Sequence, residues 1–457
     1  MEENHMTGLP LIIVFILAIV AMIVAISKYK IHPFLSIMGV SLILALLAGI
    51  PLGEIANVIG AGFSGTFSSI GIVIILGALI GSILEQTGAA FKLADMVVKL
   101  VGQKNPELAI ELMGWVVSIP VFCDSGFVIL DPIRKALVRR TGTSSVAMTV
   151  ALSAGLYISH VFIPPTPGPI AAANTLGVGN NLLLVMGLGA LCSVLPLIAG
   201  LVFAKYIGKK VKSSDETVAS DEVVKTYEEL VAEYGKLPGG FNALAPIIIP
   251  IVLMALGSIA AMAGWTGFLF EICNFLGKPV IALTVGTICG IIQLALANKM
   301  DCFYNLTNDT LKVTGPILFV TAAGGVLGKV ISSSDMVNYI TTNATVLGSI
   351  GIFFPFLLSA ILKSAQGSST VALTTTAGIV APLLGAMGLD TPARAALTVI
   401  AIGAGAMTVS HANDSYFWVV TNFGKMSPDQ GYKTQTSLTL VLGIASILEI
   451  FVLSLFL

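Results

Sequence analysis

Residues 155–169 read GLYISHVFIPPTPGP. An apolar helical run carries Ser159 and His160 and then meets Pro164, Pro165, Pro167 and Pro169. Proline lacks a backbone N–H and its ring clashes with the preceding turn, so this run cannot continue a helix. A bilayer core tolerates irregular backbone only where protein or a polar cavity covers it. The stretch predicts a helix broken at membrane depth, with a site at the break. Residues 405–415, GAMTVSHANDS, repeat the theme 251 positions further on, counted from Ser159 to Ser410. Upstream of each Ser-His pair, 143–159 and 394–410 are matching apolar runs rich in Ala, Gly and Thr.

The 457 residues are 56% hydrophobic and only 10% charged, with mean hydropathy +0.97 and formal net charge −1. Soluble domains carry about 25% charged residues, and runs of roughly 18 or more apolar residues mark transmembrane helices. The chain is therefore read as an all-α polytopic membrane protein. Its five cysteines, at 123, 192, 273, 289 and 302, show no CxxC spacing, so neither a disulfide framework nor a metal site is expected. The run Leu9 to Ile26 follows an acidic leader and reads as a retained helix rather than a signal peptide.

Apolar runs predict spans at 9–27, 33–50 and 67–85, an amphipathic piece at 89–101, and a re-entrant hairpin at 106–140 around Cys123-Asp124-Ser125-Gly126. The broken helix at 143–175 and a span at 181–206 complete this half. Residues 208–240 form a polar linker, after which the order repeats. Spans are expected at 243–263, 279–297 and 313–330, then an amphipathic piece at 334–341. A hairpin at 346–385, a broken helix at 392–422 and a last span at 436–457 follow. GSILEQTG from Gly81 is echoed by GKVISSSD from Gly328. Counting each broken helix as one crossing and each hairpin as none gives five crossings per half. An odd count makes residues 1–207 and 241–457 inverted repeats. With both termini outside and the linker cytoplasmic, 19 of the 23 Lys and Arg fall inside, as cytoplasmic loops should hold. The other four are Lys278, Lys329, Lys363 and Arg394.

Residues 119–137 (IPVFCDSGFVILDPIRKAL), the SH-VFIPPTPGP break and residues 404–420 (AGAMTVSHANDSYFWVV) resemble motifs of the gluconate permeases, the GntP family of the ion transporter superfamily. The resemblance covers essentially the whole chain. It implies a secondary transporter that takes up gluconate or a related small sugar acid together with H+. It also implies an elevator-type fold, a homodimer in the bacterial plasma membrane, and no cofactor. Na+ as the coupling ion, and another small polar carboxylate such as D-serine or D-glycerate as the substrate, stay open.

Intramembrane ionisable groups are costly and by default functional. Asp124 and Asp414, with His160, are the expected proton-coupling groups. Asp124 would sit at a hairpin tip where Gly126 permits close approach, and a desolvated carboxyl there suits a proton carrier; its alternative is to cap the second hairpin helix. Ser125, Gly126, His160 and Thr166 are expected at the substrate. So are Gln366, Gly367, Ser368, Ser369 and Thr370, where a helix N-terminus can hold a carboxylate without a basic side chain. Ser410, His411 and Asn413 complete the set, a buried polar network being their alternative. Lys363 could pair with the anion or locally.

Other readings fit less well. The stretch 60–65 matches GxGxxG but lies between membrane spans and follows no strand, which excludes a dinucleotide site. Arg134 to Arg140 reads as an orientation signal and headgroup contact, not a nucleic-acid patch. A membrane hydrolase using Ser125 with His160, or Cys123 with His411, lacks a GxSxG elbow. No catalytic residue is expected.

Overall fold

The computed structural model describes residues 9–93, 96, 105–217, 237–262, 265–335, 350–411 and 414–457. Every regular element among them is helical. The first half comprises α1 (Leu9–Ser27), α2 (Pro33–Leu47), α3 (Leu52–Gln86), α4 (Pro106–Val117), α5 (Cys123–Thr141), α6 (Ser145–Phe162), α7 (Pro167–Thr175), α8 (Leu182–Leu191) and α9 (Val194–Lys210). The second comprises α10 (Gly240–Met262), α11 (Phe268–Gly277), α12 (Pro279–Leu296), α13 (Phe303–Ser332), α14 (Phe353–Gln366), α15 (Ser369–Val380), α16 (Pro392–Met407), α17 (Ser415–Phe423) and α18 (Ser437–Ser454). Eight helical segments among the described residues are long and apolar enough to cross a membrane.

Local chemistry sets the breaks. Ser144 accepts a hydrogen bond from Ala147 N (3.4 Å) and starts α6, which runs to Phe162 and stops ahead of Pro164. Pro167 then opens α7, where its missing N–H leaves nothing unsatisfied. Between α14 and α15 the turn needs Gly367, whose φ is +90°, and Ser368 caps α15 by accepting from Val371 N (3.3 Å).

Burial separates the helices. Every residue of α6 is buried, and so is α16 from Ala395 to Met407, whereas α1 and α18 present long apolar side chains such as Leu17 and Leu448 on the outer surface. Broken segments are thus wrapped by protein, as backbone without lipid-compatible hydrogen bonding requires. Glycines permit that wrapping: a methyl group at Gly155 would overlap Glu111 O of α4, and one at Gly405 would overlap Phe356 O of α14.

Helices α3 and α13 cross closely, since a Cβ on Gly62 would lie 2.7 Å from Val326 Cα. Both outrun the expected spans 67–85 and 313–330. Their extra turns carry Glu54, Asn57, Asn308, Asp309 and Lys312, which lower hydropathy without interrupting the helix. Helix α11 was not anticipated. Two of the expected crossings are short, α2 with 15 residues and α16 with 16. Most of the amphipathic pieces at 89–101 and 334–341, and linker residues 218–236, lie outside the described residues.

Candidate functional site

Four helix N-termini meet in the interior. Asp124, in the first turn of α5, lies beside Ser415 at the start of α17 and within electrostatic range of Asp414 and Lys363. Tyr157 of α6 links α17 to α15: its hydroxyl donates to Asp414 Oδ2 (3.5 Å) and it lies beside Ser369. Helix α7 abuts α15, since a Cβ on Gly168 would sit 3.7 Å from Thr370 Cα. Each helix start carries unsatisfied N–H groups and about half a positive charge. Acidic residues already serve α5 and α17, through Asp124 and the capping Asp414, whereas α7 and α15 have none in the first turn. Pro167 and Pro169 remove two donors from α7, so the centre's remaining N-terminal amides include those of Ser369 and Thr370 on α15, for which no backbone acceptor is found among the described residues.

The one buried ammonium described at this centre is already neutralised. Lys363 Nζ lies 2.6 Å from Asp414 Oδ2, with side-chain exposures of 0% and 5%. Lys363 also donates to Gly367 O, which ties the α14–α15 turn to the start of α17. Asp414 accepts further bonds from Ser410 Oγ (2.5 Å) and Tyr416 N (3.1 Å). These donors and the 2.6 Å contact hold Asp414 and Lys363 together as an ion pair whose formal charges cancel.

Asp124 differs. Its Oδ2 receives a long contact from Cys123 Sγ (3.8 Å), and its buried Oδ1 has no hydrogen-bond partner among the described residues. His160 is 3% exposed, lies between the rings of Phe122 (5.9 Å) and Tyr157 (6.5 Å), and leaves Nδ1 unpartnered among the described residues. Ser125 lines a cavity of about 240 Å³ beside the α4–α5 tip, with Phe122, Ser82 and Glu85.

Several expected substrate contacts are occupied by the protein itself. Thr166 Oγ1 donates to His160 O and Ile163 O, both at 2.9 Å, and so satisfies carbonyls freed by the break. Ser410 is bound on three sides, by Asp414, Thr439 and Thr436. His411 Nε2 lies 3.1 Å from Ser364 O, so it secures α14 against the second break. Gly126 sits under Leu156, 2.6 Å from where its Cβ would be, and serves packing. Asn413 and the Gln366 side chain lie outside the described residues.

The family model described as GntP family permease matches residues 9–456. The chain belongs to this family. A low-affinity gluconate transporter of Escherichia coli K12 is 31% identical over 96% of this chain and 97% of its own length. An uncharacterized permease of Haemophilus influenzae is 35% identical, over 91% of this chain and 86% of its own length. Among solved structures, the YdaH transporter of Alcanivorax borkumensis is similar with TM-score 0.66 at 16% identity, covering 93% of this chain and 97% of that one. This GntP permease is therefore a multi-pass membrane transporter and not an enzyme.

The interior of the permease also holds groups that the sequence did not single out. Tyr157 and Tyr416 have rings 4.9 Å apart, and Tyr416 OH donates to Ser153 O (3.2 Å). A tyrosine next to each break was a legible signal, since a buried phenol demands a partner, but their pairing was not. Arg134 corrects the reading of the basic cluster as headgroup contact. It is fully buried, bonded to Asp131 (2.7 Å), Ser145 Oγ (2.7 Å), Asp215 (3.1 Å) and Phe423 O (3.3 Å). A guanidinium with its donors so engaged holds α5, α6, α17 and the linker start together.

Proposed function

We propose that this permease takes up gluconate or a related small sugar acid together with H+ by an elevator-like alternating-access movement. The observation that carries this is the meeting of four helix N-termini around a Lys363–Asp414 ion pair and an Asp124 whose buried Oδ1 has no hydrogen-bond partner among the described residues. The α15 amides suit the substrate carboxylate, and Ser369 with Thr370 suits its hydroxyls. His160 offers an unpartnered ring nitrogen to the same ligand. Asp124 then takes the proton. An ionised Asp124 beside an anion in a low-dielectric site is strongly disfavoured, so protonation and substrate binding assist each other.

Gluconate is favoured because relatives spanning nearly the whole chain are named for it. The halves act as inverted repeats, residues 1–207 and 241–457, with re-entrant hairpins α4–α5 and α14–α15. The linker is cytoplasmic, the termini are outside, and two copies assemble in the bacterial plasma membrane. Glycine contacts support a sliding unit. Gly81 of α3 meets Pro120 O at the first hairpin tip. Its counterpart Gly328 of α13 meets Gly378, eleven residues past Gly367 of the second tip, where a Cβ on Gly328 would lie 2.6 Å from Gly378 O. Exchanging those contact sets slides the hairpins by roughly 16 Å along α3 and α13, at about 1.5 Å per helical residue.

Reconstituted permease should accumulate labelled gluconate when the outside is acidified. Excess D-glycerate or D-serine should compete less well than unlabelled gluconate. Uptake that depends on a Na+ gradient and ignores pH would overturn the proton reading.

A further inference from the structure

Two cavities flank the α3–α13 crossing, one at each end. The cavity beside Ser125, of about 240 Å³, takes Ser82 and Glu85 from α3 and Asp309 from α13. The other, about 350 Å³, takes Gly62 from α3, and Lys329 and Ser332 from α13. The echo of Gly81 at Gly328 is an offset of 247, and at that offset Ser82 pairs with Lys329, Glu85 with Ser332, and Gly62 with Asp309. The same helical positions thus line both cavities in the two halves, with their charges altered. The first has Glu85 and Asp309 in its wall, with Lys312 on Asp309 and Lys299 on Gln86 O (2.8 Å); the other has Lys329 as its charged lining residue. Glu85, Asp309 and Lys329 are exposed. Asp309 pairs with Lys312 (2.8 Å), whereas Lys329 has no ion-pair partner among the described residues.

We infer that Lys329 captures the carboxylate of the incoming acid at the extracytoplasmic entrance. This rests on the orientation and anionic substrate proposed above. The side chain of Lys329 is a flexible point charge without an ion-pair partner among the described residues, suited to attracting an anion into a wet cavity and releasing it. In the slid arrangement, the scaffold surface around Lys329 would face the second hairpin tip, as Ser82 now faces the first. Lys329 then stands beside the α15 amides when the site opens outward.

The test uses full-length protein in oriented proteoliposomes, with labelled gluconate as probe. Lys329→Gln should raise the KM for entry from the extracytoplasmic face about threefold to fivefold at low ionic strength, the range for one exposed charge pair. The shift should disappear in high salt, and the KM measured from the opposite face should stay unchanged. Equal shifts from both faces, or no shift at low salt, would overturn the inference. A second readout does not depend on which acid is carried. Ser332→Cys should react faster with an anionic than with a cationic methanethiosulfonate, and adding Lys329→Gln should abolish that preference. If gluconate is not transported but the thiol preference behaves this way, the substrate reading falls and the capture site stands; a preference indifferent to Lys329 removes the capture site.

Discussion

Replacing Lys363 by Met, of similar length and no charge, leaves the Asp414 carboxylate enclosed without its counter-ion. Both partners are almost wholly buried and 2.6 Å apart. Removing one member of such a pair costs about 3 to 5 kcal/mol. Asp414 keeps Ser410 Oγ, Tyr416 N and the long Tyr157 bond, which places Lys363→Met near the lower end of that range, about 3 kcal/mol. Asp414→Leu should cost more, because the stranded ammonium would keep only Gly367 O among its described acceptors. The double variant Lys363→Met/Asp414→Leu should be more stable than Asp414→Leu alone, with a coupling of about 2 kcal/mol or more. Reversible unfolding in mixed micelles measures all four corners of this cycle. Additive effects, together with a large rise in substrate KM for Lys363→Met, would make Lys363 an anion ligand and not the counter-ion of Asp414.

Thr166→Val should lower stability by about 1 to 3 kcal/mol, since it strands the carbonyls of His160 and Ile163, while substrate KM changes little; unfolding and uptake curves on one preparation separate the two. Ser369→Ala should do the reverse, raising KM roughly twofold to tenfold for loss of one hydrogen bond with stability nearly unchanged. Cysteines placed at Lys210 and Phe456, both exposed, should be labelled from opposite faces of intact cells, and same-side labelling would contradict the inverted repeats.

The broken helices were legible because proline chemistry is local: Pro164 and Pro167 must end and restart a helix wherever the chain folds. The α14–α15 turn was legible for a similar reason, from short apolar arms around Gly367, whereas the α4–α5 turn falls ahead of Cys123, and Gly126, expected at its tip, lies within the first turn of α5. Partner choice was not. Lys363 and Asp414 lie far apart in sequence, and the chain offers 24 acidic residues to a lone lysine, so only the packing of α14 against α16 selects one. Thr166 was assigned to substrate on its position alone; that its hydroxyl closes the break depends on how the chain turns between Ile163 and Pro167. Helices α3 and α13 were read short because hydropathy falls where their ends face cavities or water, and a helix need not end there.

If the proton travels on Asp124 as proposed, Asp124→Asn separates substrate binding from coupling. Asparagine copies the protonated acid in size and neutrality, so the binding site persists while the titrating group is lost. Reconstituted Asp124→Asn should keep gluconate counterflow and lose accumulation driven by an acidic exterior. Uphill accumulation with unaltered pH dependence in Asp124→Asn would place the coupling group elsewhere.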